Sequence, residues 1–330
     1  MIINRTPFRI SFAGGGSDLE AFYHQHEGCV LSTSINKYMY LIAHPFAVKK
    51  QIQVKYSTTE LVDMPEKIKH PIIREALKLL KIDKGIEIAS FADISAGTGL
   101  GSSSSFTVGL IHCLKAYLNS HVSKEYLANT ACDIEINRLE EPIGKQDQYA
   151  AAFGGLNFIS FLKNGTVCME PVTISVDRKK ALEENLLMFF TGSHRSASKI
   201  LKEQKENINN SEDKVKTLLE MTKLARKLKQ VLYDGDLDDF GPILHEGWEL
   251  KQSLASGISN PEIEKMYHLA ISKGGASGGK LLGAGGSGYL LFYCPKTKQA
   301  HLRKTMQELE ELPFQFDDHG SNIIFYDKNI

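Results

Sequence analysis

No stretch of this 330-residue chain approaches the roughly 18 consecutive apolar residues that a membrane span requires. The opening MIINRTPFRISF also lacks the apolar centre of a secretory leader. Charge of either sign is missing in excess, because 39 Lys+Arg balance 39 Asp+Glu. A neutral surface has no basic field with which to hold nucleic acid or an anionic membrane, so neither is expected as a partner, and any anion must be bound by local groups. Cysteine is sparse: Cys29, Cys113, Cys132, Cys168 and Cys294 are odd in number and never spaced C-x-x-C, which argues against a disulfide framework and a zinc site. Reduced thiols and a cytoplasmic location are the expectation. There is no low-complexity tract and no internal repeat. What remains is an ordinary globular composition, 42% hydrophobic and 24% charged, on a chain longer than one core usually supports.

Two α+β domains are expected, 1–181 and 182–330. From Ile2 to Ser57, runs such as FRISFA, CVLSTSI and YMYLIAH, punctuated by Gly, Pro and Asn, predict a sheet. Helical spacing follows in Pro71–Lys81, through Ile72, Ile73, Ala76, Leu77 and Leu80, and again in Ser103–Leu118. Between them IEIASFAD reads as a strand that runs into a glycine loop. LNFISFL and NLLMFF read as further strands, and 196–274 as mainly helical. The end of the chain carries glycine-rich GGKLLGAGGSGYLLFYC, a helix around Leu302–Leu309 and the strands FQFD and NIIFYD. Strands and helices without regular βαβ alternation point away from a doubly wound sheet.

The segment ISAGTGLGSSSSFTVGLIHCL joins that strand to a helix. Gly97, Gly99 and Gly101 permit close backbone approach, and Ser102, Ser103 and Ser104 fall where the helix begins. Unpaired N–H groups and the positive end of the helix dipole make such a junction an anion site, phosphate above all. A helix merely capped by Ser102 would use the same residues. The lysine of a P-loop is absent. Gly283, Gly285 and Gly288 match G-x-G-x-x-G, but they lead into YLLFYC, a strand, so the strand–turn–helix context of a dinucleotide site fails.

Three segments together resemble the GHMP kinases, the family of galactokinase, homoserine kinase, mevalonate kinase and phosphomevalonate kinase. GTGLGSSSS is similar to its nucleotide loop, PFRISFAGGGSDL to its N-terminal substrate segment, and KLLGAGGSGYLLF to its C-terminal glycine motif. AGGGSDL, GKQDQYAAAFGGLNF and TGSHRSASKIL look most like the members that act on D-glycero-D-manno-heptose 7-phosphate. Ser95 stands where the family has proline and Ser104 where it has alanine.

The resemblance implies a two-domain fold with a ferredoxin-like C-terminal domain, and an ATP- and Mg²⁺-dependent kinase that phosphorylates the anomeric C1 hydroxyl of that heptose phosphate. It implies Asp147 and Arg9 as catalytic residues, and Gly97, Gly99, Leu100, Gly101, Ser102, Ser103 and Ser104 around the nucleotide. Ser103 and Glu135 would hold the metal, Ser102 being the other serine considered. Gly16, Ser17, Asp18, Thr191, Arg195, Gly285 and Gly286 would meet the substrate, Arg195 pairing with its phosphate. The residues agree independently in part: phosphoryl transfer needs a carboxylate at the acceptor hydroxyl and cations on the transferred group, and Asp147 lies at an expected helix start, where it could instead be a simple cap. Other acceptors such as fucose or galactose, a nicotinamide-dependent oxidoreductase, and a sugar-binding protein without catalysis are the alternatives. Oligomeric state is left open.

Overall fold

The computed structural model describes residues 1–47, 50–192 and 198–327. In chain order it contains β1 (Ile2–Ala13), α1 (Glu20–Tyr23), β2 (Gly28–Pro45), β3 (Ile52–Lys55), β4 (Thr59–Val62), α2 (Pro71–Leu80), β5 (Ile86–Ala92), α3 (Ser102–Tyr117) and α4 (Lys124–Cys132). A π-helical segment, Asp133–Arg138, follows α4. Then come α5 (Gln146–Phe153), β6 (Leu156–Phe161), β7 (Val167–Pro171), α6 (Val176–Glu184), β8 (Leu186–Phe190), α7 (Ser198–Asn210), α8 (Glu212–Asp234), α9 (Phe240–Gln252) and α10 (Pro261–Ser272). The chain closes with β9 (Gly278–Leu281), β10 (Tyr289–Tyr293), α11 (Lys296–Thr305) and β11 (Asn322–Tyr326).

The larger sheet runs β11-β1-β2-β5-β3-β4, with β6 on the first half of β2 and β7 outside β6. Among the described strands only β3 and β5 pair in parallel. β1 is a central strand that contains Pro7, a residue with no N–H to give a ladder; the register with β2 shifts between Pro7 and Phe8, which accommodates it as a bulge. Ser105 Oγ donates to Pro7 O at 2.8 Å and so ties α3 to that bulge. α3 lies across β1 and β2, where Gly109 is needed because a Cβ there would stand 2.7 Å from Asn4 Oδ1.

The smaller sheet is antiparallel, β8-β10-β9. Residues 310–312 lie along the other edge of β8, through Phe190 N–H to Glu310 O and Leu312 N–H to Met188 O, both 2.9 Å. The spatial order is therefore fourth, first, third, second, the ferredoxin-like order, with the fourth strand reduced to a bridge and with α7–α10 in the first crossover. The expected strand FQFD is likewise only a bridge, Phe316 to Ile35, and the expected helix at 302–309 sits earlier, in α11. One apolar cluster runs from β1, β2 and α3 through Leu182, Met188, Phe240 and Leu282, so the core is continuous between the two sheets. A second, with Trp248, Tyr267 and Phe292, also takes in Leu19 and Phe22.

Candidate active site

A cleft of about 350 Å³ lies between the two sheets, and the pieces singled out in the sequence converge on it. Its centre is Arg9, carried by β1 two residues beyond the Pro7 bulge. The guanidinium grips Asp147 bidentately, Nε to Oδ1 and Nη2 to Oδ2 at 2.8 Å each, while Nη1 donates to Gly99 O at 2.7 Å. Such a fork fixes the carboxylate plane as well as its charge. Asp147 belongs to the first turn of α5 and is not its cap; Lys145 holds that position without a side-chain bond.

The glycine loop is shaped by contact with the opposite lobe. Arg9 N–H donates to Leu100 O at 3.0 Å, and the Leu100 side chain is fully buried behind the loop. Gly99, at φ 83°, meets the turn between β9 and β10: a Cβ on Gly99 would lie 2.4 Å from Leu282 O, and one on Gly283 only 2.3 Å from Gly99 Cα. The two glycine motifs therefore touch, which neither lobe's sequence displays by itself. Gly101 is the N-cap of α3 and offers no capping side chain. Ser102 is inside the helix and does not cap it. The first-turn residues Ser102, Ser103 and Ser104 line the cleft, so their N–H groups and the helix dipole are available to an anion.

Glu135 sits in the π-helical segment after α4, a local widening that recurs at functional sites. Its buried carboxylate accepts from Ser103 Oγ at 2.7 Å and Gln148 Nε2 at 2.8 Å. Burial, and secondarily the charge of Asp147, raises its pKa. Among the described residues no basic side chain pairs with it. Asp18, in the turn after β1, is also buried and accepts from Gly16 N–H at 2.9 Å and from Gln146 N–H and Nε2 at 3.2 Å each. Its pKa too is raised, by burial first and Asp147 second. Gly144 is obligatory there, since a Cβ would fall 1.9 Å from Asp18 Oδ2.

Of the other expected residues, Gly16 and Gly97 line the cleft. Four do not. Ser17 Oγ is spent on Gly14 O, Cys29 O and Cys29 N–H within the fold. Thr191 Oγ1 and Gly288 exchange hydrogen bonds that tie β8 to the β9–β10 turn. Gly285 packs on the backbone of Ile258, and Gly286 N–H donates to Ile258 O. Thr191, Gly285 and Gly286 thereby hold the turn that faces Gly99. Arg195 and His194 lie outside the described residues. No group of three or more His, Cys, Asp or Glu suited to a metal exists among the described residues. Sequence reasoning missed Gln146, which braces Asp18, and two lysines that line the cleft, Lys251 and Lys280. A lysine inside the glycine motif was a signal for Lys280; nothing in the helical pattern of α9 singles out Lys251.

An anion-ready helix start, a clamped carboxylate and buried acids around one cleft are the apparatus of a phosphotransferase. The chain matches the GHMP kinases N terminal domain over residues 68–155 and the GHMP kinases C terminal domain over 222–311. It is 30% identical over 325 residues to D-glycero-alpha-D-manno-heptose 7-phosphate kinase of Campylobacter jejuni, covering 93% of each chain. It is 27% identical to the bifunctional fucokinase/GDP-fucose pyrophosphorylase of Arabidopsis thaliana, covering 92% of this chain and 31% of that one. A putative sugar kinase structure from Campylobacter jejuni superposes with a TM-score of 0.77 at 28% identity, over 98% and 97% of the chains. The fold is also that of a D-glycero-D-manno-heptose 1-phosphate kinase from Bacteroides thetaiotaomicron, TM-score 0.82 at 24% identity over 99% and 100%.

The protein belongs to the GHMP kinase family, and it is an ATP-dependent sugar kinase. No helix among the described residues is long and apolar enough to cross a membrane.

Proposed function

We propose that the acceptor is D-glycero-D-manno-heptose 7-phosphate and that its anomeric C1 hydroxyl receives the γ-phosphoryl group, giving the 1,7-bisphosphate. The observation that carries the phosphoryl-transfer part of this reading is the Arg9–Asp147 clamp, which sets one carboxylate in the cleft with the first turn of α3 and the buried Asp18. ATP lies with its phosphates along 97–104, held by the first-turn N–H groups of α3 and the serine hydroxyls. Asp18 accepts from sugar hydroxyls. Asp147 accepts the C1 hydroxyl proton as that oxygen bonds to phosphorus and the bond to the ADP oxygen breaks, and Arg9 keeps the carboxylate aimed throughout. The Campylobacter jejuni relative, whose name gives the same heptose 7-phosphate, supports the choice of acceptor.

Ser103 and Glu135 fit a magnesium ion: a buried carboxylate of raised pKa, without a cationic partner among the described residues and with a hydroxyl at 2.7 Å, is a hard oxygen site that leaves room for phosphate oxygens and water. Bound there, the ion would neutralise charge on the triphosphate. We assign the nucleotide loop and Asp147 to an N-terminal domain, 1–181, the ferredoxin-like unit to 182–330, and the protein to the cytoplasm. Arg195 is assigned to the substrate phosphate.

An ATP-consumption screen over heptose 7-phosphate, free heptose, fucose, galactose and mannose, with ³¹P NMR of the product, tests the acceptor. The heptose 7-phosphate should be preferred and a new signal should appear at C1; equal use of free heptose or fucose would refute the assignment. Arg195→Ala should raise KM for heptose 7-phosphate about ten- to a hundredfold, the worth of one charge-assisted contact, while barely moving KM for an unphosphorylated sugar.

A further inference from the structure

Among the described residues three cations line the cleft, and two of them are committed. Arg9 is clamped on Asp147 and Gly99 O. Lys280, on β9, points its buried ammonium at Ser11 O and Phe12 O, at 2.8 and 2.9 Å, and so bolts the smaller sheet to β1. Lys251, near the end of α9, is different. Its side chain is buried, and its Nζ meets one carbonyl, Gly283 O, leaving two of three N–H donors without a hydrogen-bond partner among the described residues. Gly283 is the residue pressed against Gly99 of the nucleotide loop. The Lys251 ammonium therefore sits at the seam of the two glycine motifs, where it also feels the charges of Asp18 and Asp147. That is the junction between the nucleotide side and the acceptor side of the cleft.

We propose that Lys251 is a catalytic residue, the cation that contacts the phosphoryl group while it passes from ADP to the sugar oxygen. The inference rests on the kinase reading of this cleft and is independent of which sugar is bound, because the transferred group is common to all acceptors. In the step, the acceptor oxygen–phosphorus bond forms, the phosphorus–oxygen bond to ADP breaks, and the hydroxyl proton goes to Asp147. Lys251 stays protonated and donates its two free N–H groups to the equatorial oxygens. A donor aimed at charge that develops only in transit raises kcat without tightening the ground state. Burial, and next the neighbouring Arg9, bring the Lys251 pKa down to about 8, while Asp18 and Asp147 oppose that; Lys280 is the other charged group facing it.

The test compares wild type, Lys251→Met and Lys251→Arg with ATP, Mg²⁺ and heptose 7-phosphate, or whichever sugar the wild type turns over. Lys251→Met should lower kcat about 10²- to 10³-fold with both KM values within about threefold, and Lys251→Arg should recover part of the loss. A second readout is ¹⁹F NMR of wild type and Lys251→Met with ADP, Mg²⁺, aluminium fluoride and the sugar: the wild type should trap the planar fluoride, and the variant should bind ADP normally yet fail to trap it. Should the methionine variant not fold, Lys251→Gln, which keeps a polar end without the charge, is measured in its place, and wild-type kcat and trapping there would overturn the proposal. Wild-type kcat or trapping in Lys251→Met overturns it too and leaves the lysine a strut for Gly283. Asp147→Asn measured in parallel separates the two readings: full activity there would refute the kinase centre itself.

Discussion

Arg9 and Asp147 are 138 residues apart in sequence and share a carboxylate–guanidinium fork, with the Arg9 side chain only 5% exposed. Replacing Asp147 with asparagine removes the proton acceptor and leaves a buried arginine without its counter-charge. Turnover should fall about 10²- to 10⁴-fold with ATP affinity retained, as read by steady-state kinetics and nucleotide titration, together with a measurable loss of stability. Asp18, Asp147 and the serines of the glycine loop were legible in the sequence because they lie in compact motifs, with Asp147 at a helix start, whereas Gln146 and Lys251 were not. What could not be read was which hydroxyls and glycines face the cleft: Ser17 and Thr191 look like ligands in a string but have their hydroxyls occupied by backbone partners. His112 offers a test away from the centre. Half-buried on α3 beside Asn4 and Ser321, it has its pKa brought down to about 4, mainly by desolvation and secondarily by the charge of His121. The unfolded chain takes up that proton near pH 6.5 and the native chain only near 4, so the contribution is complete above 6.5 and is lost as pH falls from 6.5 to 4. At most about 3 kcal/mol is involved. Urea midpoints at pH 7.5 and 4.5 should differ less in His112→Gln than in wild type.

At the level of elements, α2 and α3 declared themselves by spacing and punctuation, whereas the helix expected at 302–309 lies earlier, in α11. α2 opens with Pro71 at its first position and ends at Leu80, one residue before the expected stop, with Lys81 as a left-handed cap. β1 was harder, because Pro7 argues against a central strand until the bulge beside it is known, and FQFD has the residues of a strand but pairs at one point only. The contact of the two glycine turns was invisible for a simple reason: it joins segments nearly two hundred residues apart through atoms that carry no side chain. Gly283→Ala tests it. Gly283 has φ 75°, and an added Cβ would stand 2.3 Å from Gly99 Cα, with backbone on the far side and nothing flexible to yield. The nucleotide loop should be pushed out of place, so calorimetry should show ATP affinity falling by about tenfold or more, with sugar affinity less affected.

Across the whole molecule, the two sheets share one apolar cluster, and Lys280 and the glycine seam cross between them. Elements packed on a common core unfold together, so differential scanning calorimetry should give one transition, shifted upward as a unit by ATP, by about 2.7 kcal/mol at a hundredfold excess over Kd. Two separated transitions would mean that the lobes are energetically independent. The position of β11 carries a consequence for biosynthesis. The last strand of the chain, Asn322–Tyr326, pairs with the first, Ile2–Arg5, and Ser321 hydrogen-bonds Asn4 and Thr6 beside it. During translation the strand that bears Arg9 therefore waits with part of its outer edge unsatisfied until Asn322–Tyr326 emerges from the ribosome. At about 5–20 residues per second that wait is roughly 15–60 s. An open strand edge is a template for pairing with another nascent chain, so in this kinase the interval between the synthesis of β1 and β11 is when aggregation competes hardest with folding, and slowing elongation over the codons just before β11 should cost soluble yield.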